Sequence, residues 1–141
     1  MVASASSTLT IAGRPDLSGI GGPDGIAEKV SLRPGDFLFR EGDDAHALYI
    51  VQSGVVRVVS GSTVYETVRA GGIVGEMAIV DPGTSRSASV IAGTHAELIE
   101  IDLVKFLGMV AETPDFALMV MRVMARRLRI MNQRYRPQSS W

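Results

Sequence analysis

From Ala27 to Ile101 short apolar runs alternate with turn signals, and beyond Leu103 the hydrophobic repeat switches to helical spacing. That order confines the chain to a sandwich or barrel of short strands with helices at its carboxyl end. Pro34-Gly35 and Glu41-Gly42-Asp43-Asp44 are turns around Phe37-Leu38-Phe39. Leu48–Val51 predicts a strand closed by Ser53-Gly54, Val55–Val59 the next, and Ser60-Gly61-Ser62 a hairpin into Val64–Val68. Ser89–Ala92 and Ala96–Ile101 complete the set. Leu103–Val110 reads as a short helix ending before Thr113-Pro114, and Asp115 as the cap of a long helix from Phe116 to about Arg134. Arg122, Arg126, Arg129 and Gln133 mark its wet face; Phe116, Val120, Val123, Met124, Leu128 and Met131 mark its apolar side.

The 141 residues suit one domain, and 46% hydrophobic with 21% charged residues describe an ordinary folded protein. Residues 1–25, rich in Ser, Gly and Pro, are expected to be an irregular lead-in. Residues 26–136 are expected to form the domain, with the barrel over about 27–101 and helices over about 103–135; residues 137–141 are a tail. A formal net charge of −1 argues against nucleic-acid binding. No apolar run approaches the roughly 20 residues of a membrane span. Met1–Thr10 lacks the basic and apolar regions of a secretory signal, so a cytoplasmic location is expected. The absence of cysteine excludes thiolate chemistry, and no Gly-x-Ser-x-Gly elbow or metal-ligand cluster is visible. Neither catalysis nor a metal is expected; His46 and His95 read as surface residues.

The segment Gly75–Val90 carries the chemistry. Gly75 permits a tight backbone approach, and Glu76 opens a helical turn with free N–H groups. Asp81-Pro82-Gly83 then reverses the chain and returns Arg86 to the same place. A guanidinium grips a phosphate through parallel hydrogen bonds, and Ser87 adds a hydroxyl. Glu76, ten residues before Arg86, is the discriminating member. A carboxylate beside an anion site makes sense when it accepts from another group of the same ligand, such as a sugar hydroxyl.

Gly-Glu-Met-Ala at 75–78 followed by Arg-Ser-Ala-Ser-Val at 86–90 resembles the phosphate-binding cassette of cyclic nucleotide-binding domains. Pro34-Gly35-Asp36, Glu41-Gly42-Asp43, Leu48–Val51 and Gly54 fall where that family keeps its barrel turns and strands. Ala125-Arg126-Arg127-Leu128 is similar to its final helix. The resemblance implies a jelly-roll β-barrel (a double-stranded β-helix), then a short helix and a long lid helix. It assigns Glu76 to the ribose 2′-hydroxyl and Arg86 to the cyclic phosphate. Ser87 and the N–H groups of Glu76, Met77 and Ala88 would complete the cradle, Gly75 and Ala78 would count among the ligand-binding residues, and Ile73 and Val74 would line the base and sugar pocket. Arg127 matches a lid arginine that approaches the ribose-binding glutamate. Where the catabolite-activator branch presents hydroxyls to adenine, this chain has Met131 and Asn132.

The implied function is reversible binding of a cyclic purine nucleotide, cAMP ahead of cGMP, with movement of the lid helix relayed to a separate protein partner. Ser87 keeps cGMP open, because a hydroxyl directly after the arginine also serves the guanine 2-amino group in this family. The hinge is expected between Asp102 and Pro114. Self-association is expected through Phe116, Val120, Val123 and Met131. The chain reaches Trp141 without a helix-turn-helix, so a stand-alone sensor is favoured. A sensor fragment of a larger transcription regulator or channel, and a ligand-free scaffold on the same barrel, are the rivals.

Overall fold

The computed structural model describes residues 28–134, so the expected lead-in and tail lie outside the described residues. Among the described residues, eight strands form two antiparallel sheets. One contains β1 (Glu28–Leu32), β3 (Ala47–Ser53), β6 (Ile73–Val74) and β8 (Ala96–Asp102), in the order β1-β8-β3-β6. The other contains β2 (Phe37–Phe39), β4 (Val55–Ser60), β5 (Thr63–Arg69) and β7 (Ser89–Ala92), in the order β2-β7-β4-β5. Neighbours in space are mostly distant in sequence, as jelly-roll topology requires. Three helices follow the pattern: α1 (Met77–Val80), α2 (Leu103–Glu112) and α3 (Asp115–Arg134).

Strand pleating builds two cores from one sheet. Val51, Val74 and Leu98 point inward and meet Val56, Val68 and Val90 of the other sheet. Their neighbours Leu48, Ile50, Ile73, Ile99 and Ile101 point outward, where Ile79 of α1 and Phe116, Met119, Val120 and Val123 of α3 cover them. Each of these buried α3 side chains contributes about 1.5–3 kcal/mol. They all lie in its first half. Beyond Val123 the helix buries no apolar side chain, and Leu128 and Met131 are 59% and 55% exposed.

The sequence-derived elements recur with small changes at their ends. The turn between the long helices holds at Thr113-Pro114, but α2 runs two residues past Val110, and Asp115 is inside the first turn of α3. The Asp102 carboxylate caps α2, accepting from the Lys105 N–H at 2.9 Å. The wet face expected at Arg122, Arg126, Arg129 and Gln133 does not include every arginine of α3. Arg127 and Arg134 turn to the barrel, where Nη2 of Arg134 donates to the Tyr65 carbonyl at 3.0 Å.

Candidate functional site

The cassette is held by the turn before it in space, not in sequence. The Arg86 N–H donates to the Asp43 carbonyl at 2.8 Å, and the Arg86 carbonyl accepts from the Gly42 N–H at 2.8 Å. An adjacent bridge joins Asp44 to Ser85. These contacts fix the strand entry so that the Arg86 side chain runs back under Gly75. Nη1 donates to the Gly75 carbonyl at 3.2 Å and Nη2 to the Ala47 carbonyl at 2.8 Å. The guanidinium lies 3.9 Å over the Phe39 ring. Among the described residues its buried Nε has no hydrogen-bond partner. Burial pulls the Arg86 pKa below the ordinary arginine value, opposed by Tyr49, Asp43, Glu100 and Glu76.

Glu76 and Arg86 are the buried charged side chains among the described residues, at 6% and 7% exposure. Both line one cavity of about 880 Å³, within the range of small-molecule sites. The cassette forms one wall, Val58 and Val74 the floor, and Met121, Met124, Leu128 and Met131 of α3 the opposite side. Arg127 reaches across. Its Nη1 donates to Oε1 of Glu76 at 2.6 Å, Nε to Oε1 of Glu66 at 2.8 Å, and Nη2 to the Ile73 carbonyl at 2.6 Å. Burial alone would lower the Arg127 pKa, yet the Glu76 and Glu66 carboxylates raise it. An arginine, a buried glutamate and an apolar cover face one another here. The set suits a ligand with an anionic group, a hydroxyl donor and a flat apolar part.

Of the expected site residues, Val74, Gly75, Glu76, Met77, Ala78, Arg86, Ser87, Ala88 and Arg127 line the cavity. The Ala78 N–H is engaged by the Gly75 carbonyl at 3.2 Å, so the open amides of the turn precede it. Two expected residues stand elsewhere. Ile73 and Val74 are consecutive in β6, and the pleat sends them to opposite faces; fully buried Ile73 packs under α3 and offers only its carbonyl. Asn132 is half-buried on α3 and is absent from the cavity lining. Glu66, Tyr65 and Arg134 line the cavity without having been anticipated. Glu66 had a signal: it shares its pleat phase with Val68, which is fully buried, so alternation turns a carboxylate inward. Ser89 serves the fold, accepting from the Glu41 N–H at 2.8 Å.

Comparison with known proteins places this geometry. A profile of the cyclic nucleotide-binding domain matches residues 29–113. The chain therefore belongs to the cyclic nucleotide-binding domain family. It is 32% identical over 94 residues to cyclic nucleotide-gated channel beta-3 of Canis lupus familiaris, covering 63% of this chain and 12% of the channel. It is 29% identical over 102 residues to the cAMP-activated global transcriptional regulator CRP of Salmonella typhimurium, covering 69% of this chain and 49% of the regulator. The chain thus spans at most about half the length of these relatives. Among solved structures, Thermus thermophilus catabolite activator protein aligns with a TM-score of 0.68 and 30% identity, over 77% of this chain and 53% of that one. No helix among the described residues is long and apolar enough to cross a membrane.

Proposed function

We propose that the cavity binds a cyclic purine nucleotide reversibly, cAMP before cGMP, and that the role is regulatory rather than catalytic. The observation that carries the reading is the joint burial of Glu76 and Arg86 on one cavity, ten residues apart in sequence and crossed by Arg127 from α3. In this reading Arg86 takes the cyclic phosphate with Ser87 and the backbone N–H groups of Glu76, Met77 and Ala88, while Glu76 takes the ribose 2′-hydroxyl. Val74, Met124, Leu128 and Met131 would cover the base. The polar candidates nearest the lid are Arg134 and Glu66 rather than Asn132. Calorimetric titration with cAMP and with cGMP tests the proposal; flat traces with both would favour a ligand-free scaffold.

The output would be movement of α3 to a separate partner in the cytoplasm, pivoting near Thr113-Pro114. The division of α3 supports this: its first half is anchored by buried apolar side chains, its second by the polar contacts of Arg127 and Arg134. Spin-label distances from β4 to Leu128 that ignore added nucleotide would defeat it. The short span relative to the regulator and the channel supports a second reading, in which these residues are the sensor portion of a longer regulator.

Self-association remains part of the proposal, on a different face. Phe116, Val120 and Val123 are 2%, 2% and 3% exposed against the barrel and are unavailable to a partner. Leu118, Met121, Ala125, Leu128 and Asn132 repeat at alternating steps of three and four along α3, and Met121, Ala125 and Leu128 also line the cavity, so a partner helix here would lie beside the ligand site. In this reading the row would pair with that of a second copy of the helix, as apolar residues at such spacing do in paired helices.

A further inference from the structure

Glu66 belongs to neither the cassette nor the lid, yet it controls how the lid arginine meets Glu76. Nε of Arg127 donates to Oε1 of Glu66 at 2.8 Å and Nη2 to Oε2 at 3.3 Å. Nη2 also donates to the Ile73 carbonyl at 2.6 Å. Two of the three nitrogens are thereby committed, and Nη1 alone meets Glu76, on Oε1, at 2.6 Å. A guanidinium and a carboxylate prefer the two-point, fork-to-fork arrangement. Here Glu66 takes that arrangement along the Nε–Nη2 edge, and Glu76 receives one bond.

We infer that Glu66 is a positioning residue for Glu76: by holding Arg127 edge-on, it limits Arg127 to one oxygen of Glu76 and reserves the other for a ligand hydroxyl. The inference rests on the reading of Glu76 as the ribose-binding residue. The two carboxylates share one guanidinium at 8% and 21% side-chain exposure, so neither is well screened by water. Removing the Glu66 charge loosens the two-point hold on the Nε–Nη2 edge, Nη2 keeping the Ile73 carbonyl, and leaves Glu76 as the remaining carboxylate on Arg127. Arg127 then closes on both oxygens of Glu76 and competes with the sugar. The same contact anchors the second half of α3, which buries no apolar side chain past Val123.

A role confined to holding the fold together would weaken every ligand alike. The test therefore compares cAMP with 2′-deoxy-cAMP, which lacks the hydroxyl, by calorimetry on the wild-type chain and on Glu66→Gln. In the wild type, loss of a hydroxyl bonded to a carboxylate is expected to weaken binding about ten- to a hundredfold. In Glu66→Gln that ratio is expected to collapse to about threefold or less, because Glu76 is already occupied. Glu66→Asp draws the carboxylate back by one methylene and breaks the two-point grip. It is expected to lower the ratio in the same direction, and it carries the comparison if Glu66→Gln does not fold. A wild-type ratio kept in the variants, with both nucleotides weakened equally, overturns the inference while leaving the nucleotide site intact. A wild-type chain that binds neither nucleotide overturns the site assignment itself, and this inference with it.

Discussion

Nη1 of Arg86 lies 3.2 Å from the carbonyl oxygen of Gly75, and a Cβ built on that glycine would come within 2.7 Å of the same nitrogen. Gly75 also sits at φ +76°, which side-chain-bearing residues rarely adopt. Gly75→Ala is therefore expected to cost about 1–3 kcal/mol of stability and to displace the guanidinium. Urea denaturation and nucleotide titration of the variant check both effects; wild-type values in each would contradict the close-approach account.

Arg86→Ala removes a charge-assisted contact to the proposed phosphate. The expected loss is about 2–5 kcal/mol of binding, roughly 30- to several-thousand-fold in affinity. Arg86→Lys is expected to recover only part of it, since an ammonium lacks the fork that reaches both the Gly75 and Ala47 carbonyls. Calorimetry on the three proteins decides, and unchanged cAMP affinity in Arg86→Ala would remove Arg86 from the site.

Arg127→Met should destabilise the protein more than either carboxylate substitution. It leaves Glu66 and Glu76 facing each other without their shared cation, at an expected cost of about 3 kcal/mol. Adding Glu66→Gln to that variant is expected to restore stability, because it deletes one of the two stranded charges. A double variant less stable than Arg127→Met alone would show that the carboxylates do not act through Arg127.

Tyr49 stands behind Arg86, and its pKa is pushed up from 10.0 to about 12, first by burial and then by Glu100. The folded chain therefore keeps a proton that the unfolded chain has already released between these values. This contribution to stability is complete below pH 10 and is lost as the pH rises toward 12. Thermal denaturation across that interval should show a steeper decline in the wild type than in Tyr49→Phe. Parallel curves would mean that Tyr49 titrates alike in both states.

Leu118 is 41% exposed, belongs to the row proposed for self-association and does not line the cavity. Leu118→Glu is expected to halve the solution mass by sedimentation while leaving cAMP affinity within about twofold. A wild-type chain that sediments as a monomer would refute the paired-helix proposal.

Much of this arrangement was legible in the sequence. The turn residues and period-two runs located most strands to within one or two residues, and the Gly75–Val90 spacing singled out a segment whose Glu76, Arg86 and Ser87 line one cavity. What escaped has a physical reason in each case. β6 is two residues long, too short to show alternation, and so Ile73 was placed beside Val74 when the pleat separates them. β1 lacks a continuous apolar face, its burial coming only at Leu32. Glu66 was passed over because a glutamate in an edge strand normally faces water; only its partnership with Arg127, 61 positions later, makes it part of the site. Phe116, Val120 and Val123 were expected to be free for self-association for a related reason. Apolar residues on two sides of α3 look alike in sequence, and only packing shows which side the barrel has already covered.

The hydrogen bonds that tie Arg86 to Gly42 and Asp43 have one more consequence. Two loops more than forty positions apart share a single alignment, so neither can gain or lose a residue without shifting the guanidinium away from Gly75. An engineer transplanting this cassette into another jelly roll would need to carry the Arg40–Asp44 turn with it. Natural length variation in the family should be confined, for the same reason, to loops that touch neither this turn nor the Gly75–Val90 segment.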